Sequence, residues 1–332
     1  MDMPGEQEFE PYRRHLTAVA YRMLGSVAEA EDAVQEAWLR FAATDRSQVR
    51  EPRAWLTTTT ARICLDVLRS ARVRREAYPG MWLPEPVVTR LDPAVADPGA
   101  TDPFSADPAE QVSRREQVSF ALLVVMDRLT PEQRVAFVLH DVFSVPFDEI
   151  ASVLGTTDAN ARQLASRARR AVVGGQARHN SDRAEQRRVL AAFLAAAEEG
   201  DLDGLLAVLA PDVVTIGDGG GLLPAGRHPI EGADRAARFV VGLFRRLAEA
   251  ERVVAEPVLV NGDHGLLWEV SDRRWGTVRV VMAFAVEGGQ VTAVYDQLNP
   301  AKLQAVPAPD QHRALPPGQP LGSPEPSGPA RG

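Results

Sequence analysis

The chain has 332 residues, 45% hydrophobic and 25% charged, a composition of soluble globular proteins with room for two or three domains. No apolar run reaches membrane-spanning length and the opening MDMPGEQEFEPYRRH is polar and acidic, so no membrane contact and no signal peptide are expected, and the expected compartment is the cytoplasm. A single cysteine, Cys64, excludes an internal disulfide and a cysteine-cluster zinc site, and its apolar helical setting predicts a buried structural thiol.

The net charge of -8 is unevenly spread: basic residues concentrate at 69–75 and 162–178, with acids elsewhere. An acidic whole repels phosphate at long range, so weak binding to DNA is expected of the isolated chain, with something else delivering it.

In chain order, 9–24 predicts a helix with Leu16, Val19, Ala20 and Met23 on one side, ended by Gly25. Ser26 caps the next, where Ala30, Ala33, Val34, Ala37, Trp38 and Phe41 form one stripe. Glu31, Asp32, Gln35, Glu36 and Arg40 lie opposite; such a face is either simply solvated or a docking surface for a basic partner. A polar loop at 44–51 leads to Pro52, which starts a third helix with Leu56, Ile63, Val67 and Ala71 near one face and Arg69, Arg72, Arg74 and Arg75 at its end. Its four consecutive threonines, 57–60, are poor helix formers, but their hydroxyls suit phosphates and bases. A helix crowded with Arg beside a polar loop suits single-stranded or opening DNA.

Residues 78–111 are rich in Pro and Asp without periodicity, and an extended, flexible linker without helix is expected. Trp82 and Leu83 are conspicuous there, and docking of the aromatic on a neighbouring domain is expected.

From 129 to 178 three helical patterns follow one another. Thr130, Pro131 and Gln133 make a capping box with Pro at the first helical position, and Val135, Val138, Leu139 and Val142 recur at helical spacing. A second helix carries Phe147, Ile150, Ala151 and Leu154 and stops at Gly155; a third, after Thr156 and Thr157, turns Ala161, Leu164, Ala165 and Ala168 inward. Small inward residues allow the close crossing of a helix-turn-helix. The outward face holds Arg162, Gln163, Ser166, Arg167, Arg169 and Arg170 with no acid between Asp158 and Asp182. Arg and Gln pair with base edges in the major groove while further Arg residues hold phosphates, so this face is either a DNA reader or a solvated basic surface.

Past a hinge near Asn180, 183–214 predicts two helices feeding a strand. A helix follows at 232–250 with Ala236, Phe239, Val240, Leu243, Phe244 and Leu247 inward. Strands at 253–260, 265–270, 277–286 and 291–298 close the module, the last two joined at Gly288-Gly289. Helices followed by antiparallel strands make an α+β fold. Residues after 304 are low in complexity and expected to be disordered.

The stretches EDAVQEAWLRF, PRAWLTTTTARICLDVLRSARVRRE and LTPEQRVAF with FDEIASVLGTTDANARQLASRARRAV resemble, in order and spacing, regions 2 and 4 of bacterial extracytoplasmic-function sigma factors. The last module resembles the SnoaL-like group, relatives of ketosteroid isomerase built as a cone. WLPEP at 82–86, DGGG at 218–221 and NPAKL at 299–303 resemble signature stretches of the sigma subfamily that carries such a domain, the last departing from an NPDKL form. The fold expected is therefore multidomain: two all-α helical DNA-binding domains, region 2 at 1–77 and the region 4 helix-turn-helix at 112–179, joined by the linker at 78–111, then an α+β SnoaL-like cone domain at 184–304 and a tail at 305–332.

The resemblance implies that Asp32, Gln35 and Glu36 bind core RNA polymerase. It places Trp55, Thr58, Arg62 and Arg69 at the non-template strand of the minus-ten element of promoter DNA. Arg162, Gln163, Ser166, Arg167 and Arg170 fall at the minus-thirty-five element. The C-terminal domain is then expected to regulate, through Trp82, Leu83, Pro84, Asp218, Gly219, Gly220, Asn299 and Pro300, with a small-molecule ligand in the cone as a further partner.

Catalysis is not expected, nor any cofactor or metal. Asp218 is the residue closest to a pocket acid, but DGGG reads equally as a tight turn approached by another backbone. His264 reads as a hairpin-turn residue, and Tyr295 and Asp296, near the end of the last strand, are candidates to line a pocket, with no second acid-base partner fixed by spacing. Two other readings stay open: a regulator whose SnoaL-like domain is also an enzyme, and a plain helix-turn-helix transcription factor.

Overall fold

Gly25 adopts φ +71°, a left-handed conformation that stops the first helix, and Ser26 turns its hydroxyl to the Glu29 amide at 3.2 Å to start the second. The computed structural model describes residues 6–45, 47, 49–76, 78–91, 118–176 and 183–310, which fall into two compact units. The first takes the chain up to Val87 and the described residues between 118 and 176; the second takes the segment after Val87 and the described residues from 183 on.

In the first unit, helices α1 (Glu6–Leu24), α2 (Val27–Ala43) and α3 (Pro52–Glu76) are followed by α4 (Phe120–Met126), α5 (Pro131–Phe137), α6 (Phe147–Leu154) and α7 (Asp158–Gln176). The capping box forms as its residues predict: the Gln133 amide donates to Thr130 Oγ1 at 3.2 Å, and the Thr130 amide donates to Gln133 Oε1 at 3.1 Å. After Phe137 the chain widens into one π-helical turn, Val138–Val142, before Gly155, at φ +63°, ends α6. Sequence periodicity gave no hint of the π turn or of the short helix α4.

Regions expected as two separate readers share one core. Leu56, Ile63 and Cys64 of α3 belong to the same apolar cluster as Val135 and Leu139, Ile150 of α6, and Ala161, Ala165 and Ala168 of α7. Three of the four consecutive threonines explain why α3 tolerates them: Thr57, Thr59 and Thr60 are buried in helix packing, and Thr57 Oγ1 donates to the Arg53 carbonyl at 2.8 Å. The expectation that these hydroxyls meet DNA is therefore corrected for all but the half-buried Thr58. Cys64 is buried, and that burial pushes its thiol up, as expected of a structural cysteine.

The expected flexible linker also needs correction over its first part. Leu83, Pro84, Glu85 and Pro86 are buried, and Val88–Arg90 forms a strand, β1. The remainder of 78–111 lies outside the described residues.

The second unit holds helices α8 (Arg183–Glu199), α9 (Leu202–Val208) and α10 (Ala233–Ala248), with strands β2 (Leu209–Asp218), β3 (Ile230–Glu231), β4 (Arg252–Val260), β5 (Asp263–Asp272), β6 (Gly276–Glu287) and β7 (Gln290–Gln297). Strand order is β1-β4-β5-β6-β7-β2-β3, antiparallel except for the parallel β2/β7 pair. Asn261 (φ +52°) and Gly262 (φ +89°) turn β4 into β5, so His264 stands on a strand opposite Leu259 rather than in the turn.

One face of the sheet is covered by helices. Leu266 and Trp268 of β5, Met282 and Phe284 of β6 and Val294 of β7 pack with Phe193 and Leu194 of α8 and Val240 of α10. Phe239 departs from its expected inward place and is 40% exposed; α10 buries Ala236, Ala237 and Val240 instead. Irregular register at Leu209/Val214 and at Ala285/Val286 bends the strands. The opposite face meets the segment after β7, where Asn299 caps a short 3-10 turn, Pro300–Lys302, and Leu303 and Val306 are buried. The tail expected from 305 onward is thus packed as far as Val306 and Pro309; residues 311–332 lie outside the described residues.

Candidate nucleic-acid interface and the C-terminal domain

Helix α7 presents two chemically opposed faces. Ala161, Ala165, Ala168 and Val172 are buried at 0 to 1% exposure, while Arg162, Gln163, Ser166, Arg167 and Arg170 are all exposed. The side chains expected at the minus-thirty-five element therefore stand together on one accessible surface. Arg162 lies over the Phe147 ring at 4.6 Å, which holds one guanidinium at the α6/α7 junction. Arg169, on the edge of this face, is turned to Asp141, its Nε donating to Oδ1 at 2.7 Å.

The expected minus-ten residues are dispersed. Trp55 packs against Phe41 with ring centroids 5.8 Å apart and belongs to the rim of the core. Arg62 is exposed and donates to the carbonyl and hydroxyl of Ser152 on α6, at 3.0 and 2.9 Å. Arg69 pairs with Glu132 on α5 at 3.0 Å. Both guanidiniums expected to meet single-stranded DNA thus lie in contacts with the helix-turn-helix part of the same unit.

On α2, Asp32 and Gln35 are exposed and Glu36 pairs with Arg40 at 2.9 Å. Sequence reading overlooked Leu39 on this helix, an apolar residue 49% exposed.

The WLPEP stretch is held at the α1/α2 junction. Trp82 and Pro84 approach Gly25 so closely that a Cβ there would lie 3.2 Å from the Trp82 ring and 3.6 Å from Pro84. Leu83 is fully buried, the Tyr21 hydroxyl donates to the Glu85 carbonyl at 2.8 Å, and the Glu85 amide donates to the Gly25 carbonyl at 2.8 Å.

DGGG and NPAKL meet in the second unit. Asp218, fully buried at the end of β2, accepts from Lys302 Nζ at 2.6 Å and from the Gly220 amide at 3.0 Å. Gly220 sits at φ +63°, and a Cβ there would come within 2.6 Å of the Asn299 side chain, which is why this corner needs glycine. Gly219 is likewise pressed against the backbone of Leu223, and Pro300 is exposed at the rim. Asp218 pairs in register with Gln297, whereas the helix-covered row runs through Val294 and Asp296, so Asp218 points to the face that lacks those helices.

Among the described residues there is no group of three or more His, Cys, Asp or Glu able to hold a metal ion, and no helix long and apolar enough to cross a membrane.

Three family matches divide the chain as these elements do: Sigma-70 region 2 at residues 9–74, Sigma-70 region 4 at 119–172 and a SnoaL-like domain at 190–294. Over 317 residues the chain is 46% identical to the ECF RNA polymerase sigma factor SigJ of Mycobacterium tuberculosis, covering 94% of this chain and 97% of that one. The chain is an extracytoplasmic-function sigma factor. The crystal structure of the Mycobacterium tuberculosis SigJ superposes on this sigma factor with a TM-score of 0.71 at 42% identity, covering 91% of this chain and 99% of that one. A more distant relative, the ECF sigma factor SigE of Mycolicibacterium smegmatis, is 30% identical over 194 residues, 55% of this chain and 69% of the relative. The sigma factor thus has the expected fold class, helical regions 2 and 4 with an α+β SnoaL-like domain.

Proposed function

We propose that this sigma factor guides core RNA polymerase to promoter DNA in the cytoplasm and that its SnoaL-like domain adjusts that activity from within the same chain. The α7 face carries the reading: Arg162, Gln163, Ser166, Arg167 and Arg170 are exposed on a helix whose other side is alanine-packed in a helix-turn-helix. In this assignment they meet the minus-thirty-five element; Thr58, Arg62 and Arg69, with Trp55 at the core rim, serve the minus-ten element; and Asp32, Gln35 and Glu36, with Leu39 added, meet the polymerase. A net charge of -8 keeps the chain from holding DNA strongly by itself, so the polymerase supplies most of the grip.

Support for an internal regulator comes from the packed WLPEP stretch and from the DGGG corner. Asp218 is committed to Lys302 and to a turn amide, the bonding of a structural carboxylate rather than of a proton carrier.

The test is transcription reconstituted from the full chain and core polymerase on a cognate promoter. Arg167→Ala and Arg170→Ala together are expected to lower output at least tenfold and to reduce the salt dependence of promoter binding. Output unchanged by both substitutions overturns the assignment of the α7 face.

A further inference from the structure

Helix α10 turns a basic face outward. Arg235, Arg238, Phe239, Arg245 and Arg246 are all exposed, and no acid occurs from 235 to 248, in a chain whose net charge is -8. Arg238 pairs with Asp234 at 2.9 Å, whereas Arg235, Arg245 and Arg246 make no ion pair among the described residues. Phe239, 40% exposed, stands in the middle of these guanidiniums. Gly242 lies between it and Arg246, and a Cβ there would meet nothing within 4 Å. Glycine destabilises a helix interior relative to alanine, and what it offers at an open position is room for another backbone to come close.

Helix α2 carries the complement. Glu31, Asp32 and Gln35 are exposed, the two carboxylates make no ion pair among the described residues, and Leu39 is 49% exposed. Leu39 follows Asp32 by seven residues and Arg246 follows Phe239 by seven, so each helix holds an apolar residue and a charge on one stripe, about 10 Å apart along its axis. The charges are opposite and the order along the chain is reversed. Laid antiparallel, two such helices bring Leu39 level with Phe239 and Asp32 level with Arg246, with Glu31 and Arg245 beside that ion pair and Gln35 beside Gly242. Arg40 and Arg238 also come level, but each already holds a carboxylate, Glu36 at 2.9 Å and Asp234 at 2.9 Å, so they do not meet as bare cations.

We propose that the outer face of α10 docks the acidic face of α2 of a second copy of this chain. Removing Leu39 and Phe239 from water favours the contact, and the opposed charges fix its direction and register. Duplex DNA is the other polyanion at hand, but its phosphates offer nothing apolar to Phe239 and are repelled by a chain of charge -8. The α2 face supplies both parts, an apolar residue and two carboxylates, at the matching spacing. Where each of two copies lends both faces, the pair closes into a symmetric dimer; where only one contact forms, copies join head to tail.

Either way Asp32, Gln35 and Leu39 are covered, so the associated form withholds the face assigned to the polymerase. That consequence rests on the proposed reading of α2, while the pairing itself is tested without polymerase, so the two fail separately.

Sedimentation equilibrium of the full-length chain is the test. Concentration-dependent association is expected at about 0.05 M salt and is expected to weaken at least about tenfold at about 0.5 M, where screening shortens the reach of a charge to a few ångströms. Arg245→Glu with Arg246→Glu is expected to weaken it at least about tenfold, and so is Glu31→Lys with Asp32→Lys. Mixing these two charge-reversed chains is expected to restore association between unlike copies to within about threefold of the wild type, because every contact across the mixed pair again joins an acidic face to a basic one. Leu39→Ser and Phe239→Ser, each at an exposed position, are expected to weaken association about threefold or more, and they carry the test should circular dichroism show a charge-reversed chain to be unfolded. A wild-type chain that stays monomeric up to about 0.2 mM overturns the pairing. So does association unmoved by these substitutions, which places the contact on another surface, or a mixture of folded charge-reversed chains that fails to associate. A chain that stays monomeric while Arg245→Glu with Arg246→Glu weakens its binding to a promoter fragment assigns the face to DNA, and that too overturns the pairing.

Discussion

Glu85 reaches across from the WLPEP stretch to share the first turn of α2 with Ser26: its Oε2 accepts from Ser26 Oγ at 3.0 Å and from the Val27 amide at 2.8 Å. A carboxylate there satisfies an unpaired helix amide and faces the positive end of the helix dipole, on the helix assigned to the polymerase. Glu85→Ala is therefore expected to destabilise the helical unit by about 1 to 3 kcal/mol, and Glu85→Gln by less. Denaturant unfolding followed by far-UV circular dichroism measures this. Equal stability of wild type and Glu85→Ala shows that the residue merely rests on the helix.

The Arg69–Glu132 and Arg62–Ser152 contacts occupy side chains assigned to the opened minus-ten strand. An exposed pair such as Arg69–Glu132 contributes at most about 1 kcal/mol, so breaking it is a modest change. Glu132→Gln is expected to tighten binding of the polymerase-bound sigma factor to a forked promoter fragment by up to about fivefold. Fluorescence anisotropy reads the shift, and looser binding of the variant means that Glu132 helps the DNA-bound form instead.

Asp218 and Lys302 hold together two stretches 84 residues apart in sequence. Removing one partner of a buried ion pair typically costs about 3 to 5 kcal/mol, whereas replacing both with apolar residues costs much less. Lys302→Met alone should lower the melting temperature of the C-terminal unit markedly, and Asp218→Leu with Lys302→Met should recover most of the loss. A double variant as unstable as the sum of the singles counts against the pairing.

A buried carboxyl and a half-buried imidazole impose opposite pH slopes on the same unit. Burial raises the Asp296 carboxyl from 3.8 to about 7, so the folded state keeps a proton that the unfolded chain loses. Stability from this group is therefore full below pH 4 and falls as pH rises toward 7, by a total on the order of 4 kcal/mol. Burial, with Arg183 and Arg187 nearby, lowers His264 from 6.5 to about 4, so acid favours the unfolded state and stability rises between pH 4 and 6.5. The opposing slopes largely cancel in the wild type. Asp296→Asn should leave a stability that climbs from pH 4 to 6.5, and His264→Gln one that declines from pH 4 to 7; thermal melts across that range reveal the divergence. Parallel curves for both variants contradict the assigned burial effects.

Local signals were legible where a few residues determine them. The Thr130 capping box, the Gly155 stop and the alanine side of α7 follow from caps and from helical spacing, and with them the exposed Arg162 to Arg170 face. What escaped depends on partners distant in sequence. Val88–Arg90 is too short for any alternation to show, and only its pairing with Val258–Val260 makes it a strand. Asp218 drew notice because of its glycines, although Asp296, two residues from Val294 on the helix-covered row, is a carboxylate with a buried oxygen that has no hydrogen-bond partner among the described residues. The irregular register at Ala285/Val286 disturbs the simple alternation that separates the two faces.

Strand β1 comes from the segment before the helix-turn-helix, yet it forms the edge beside β4 of a sheet otherwise built from the chain after 208. A ribosome making this chain at bacterial speed releases Val88–Arg90 on the order of ten seconds or more before the β4 edge exists to receive it. The helices of regions 2 and 4 can thus mature while strand β1 still waits for the sheet it joins. A fragment starting at 183 would leave the β4 edge uncovered and open to pairing with other chains.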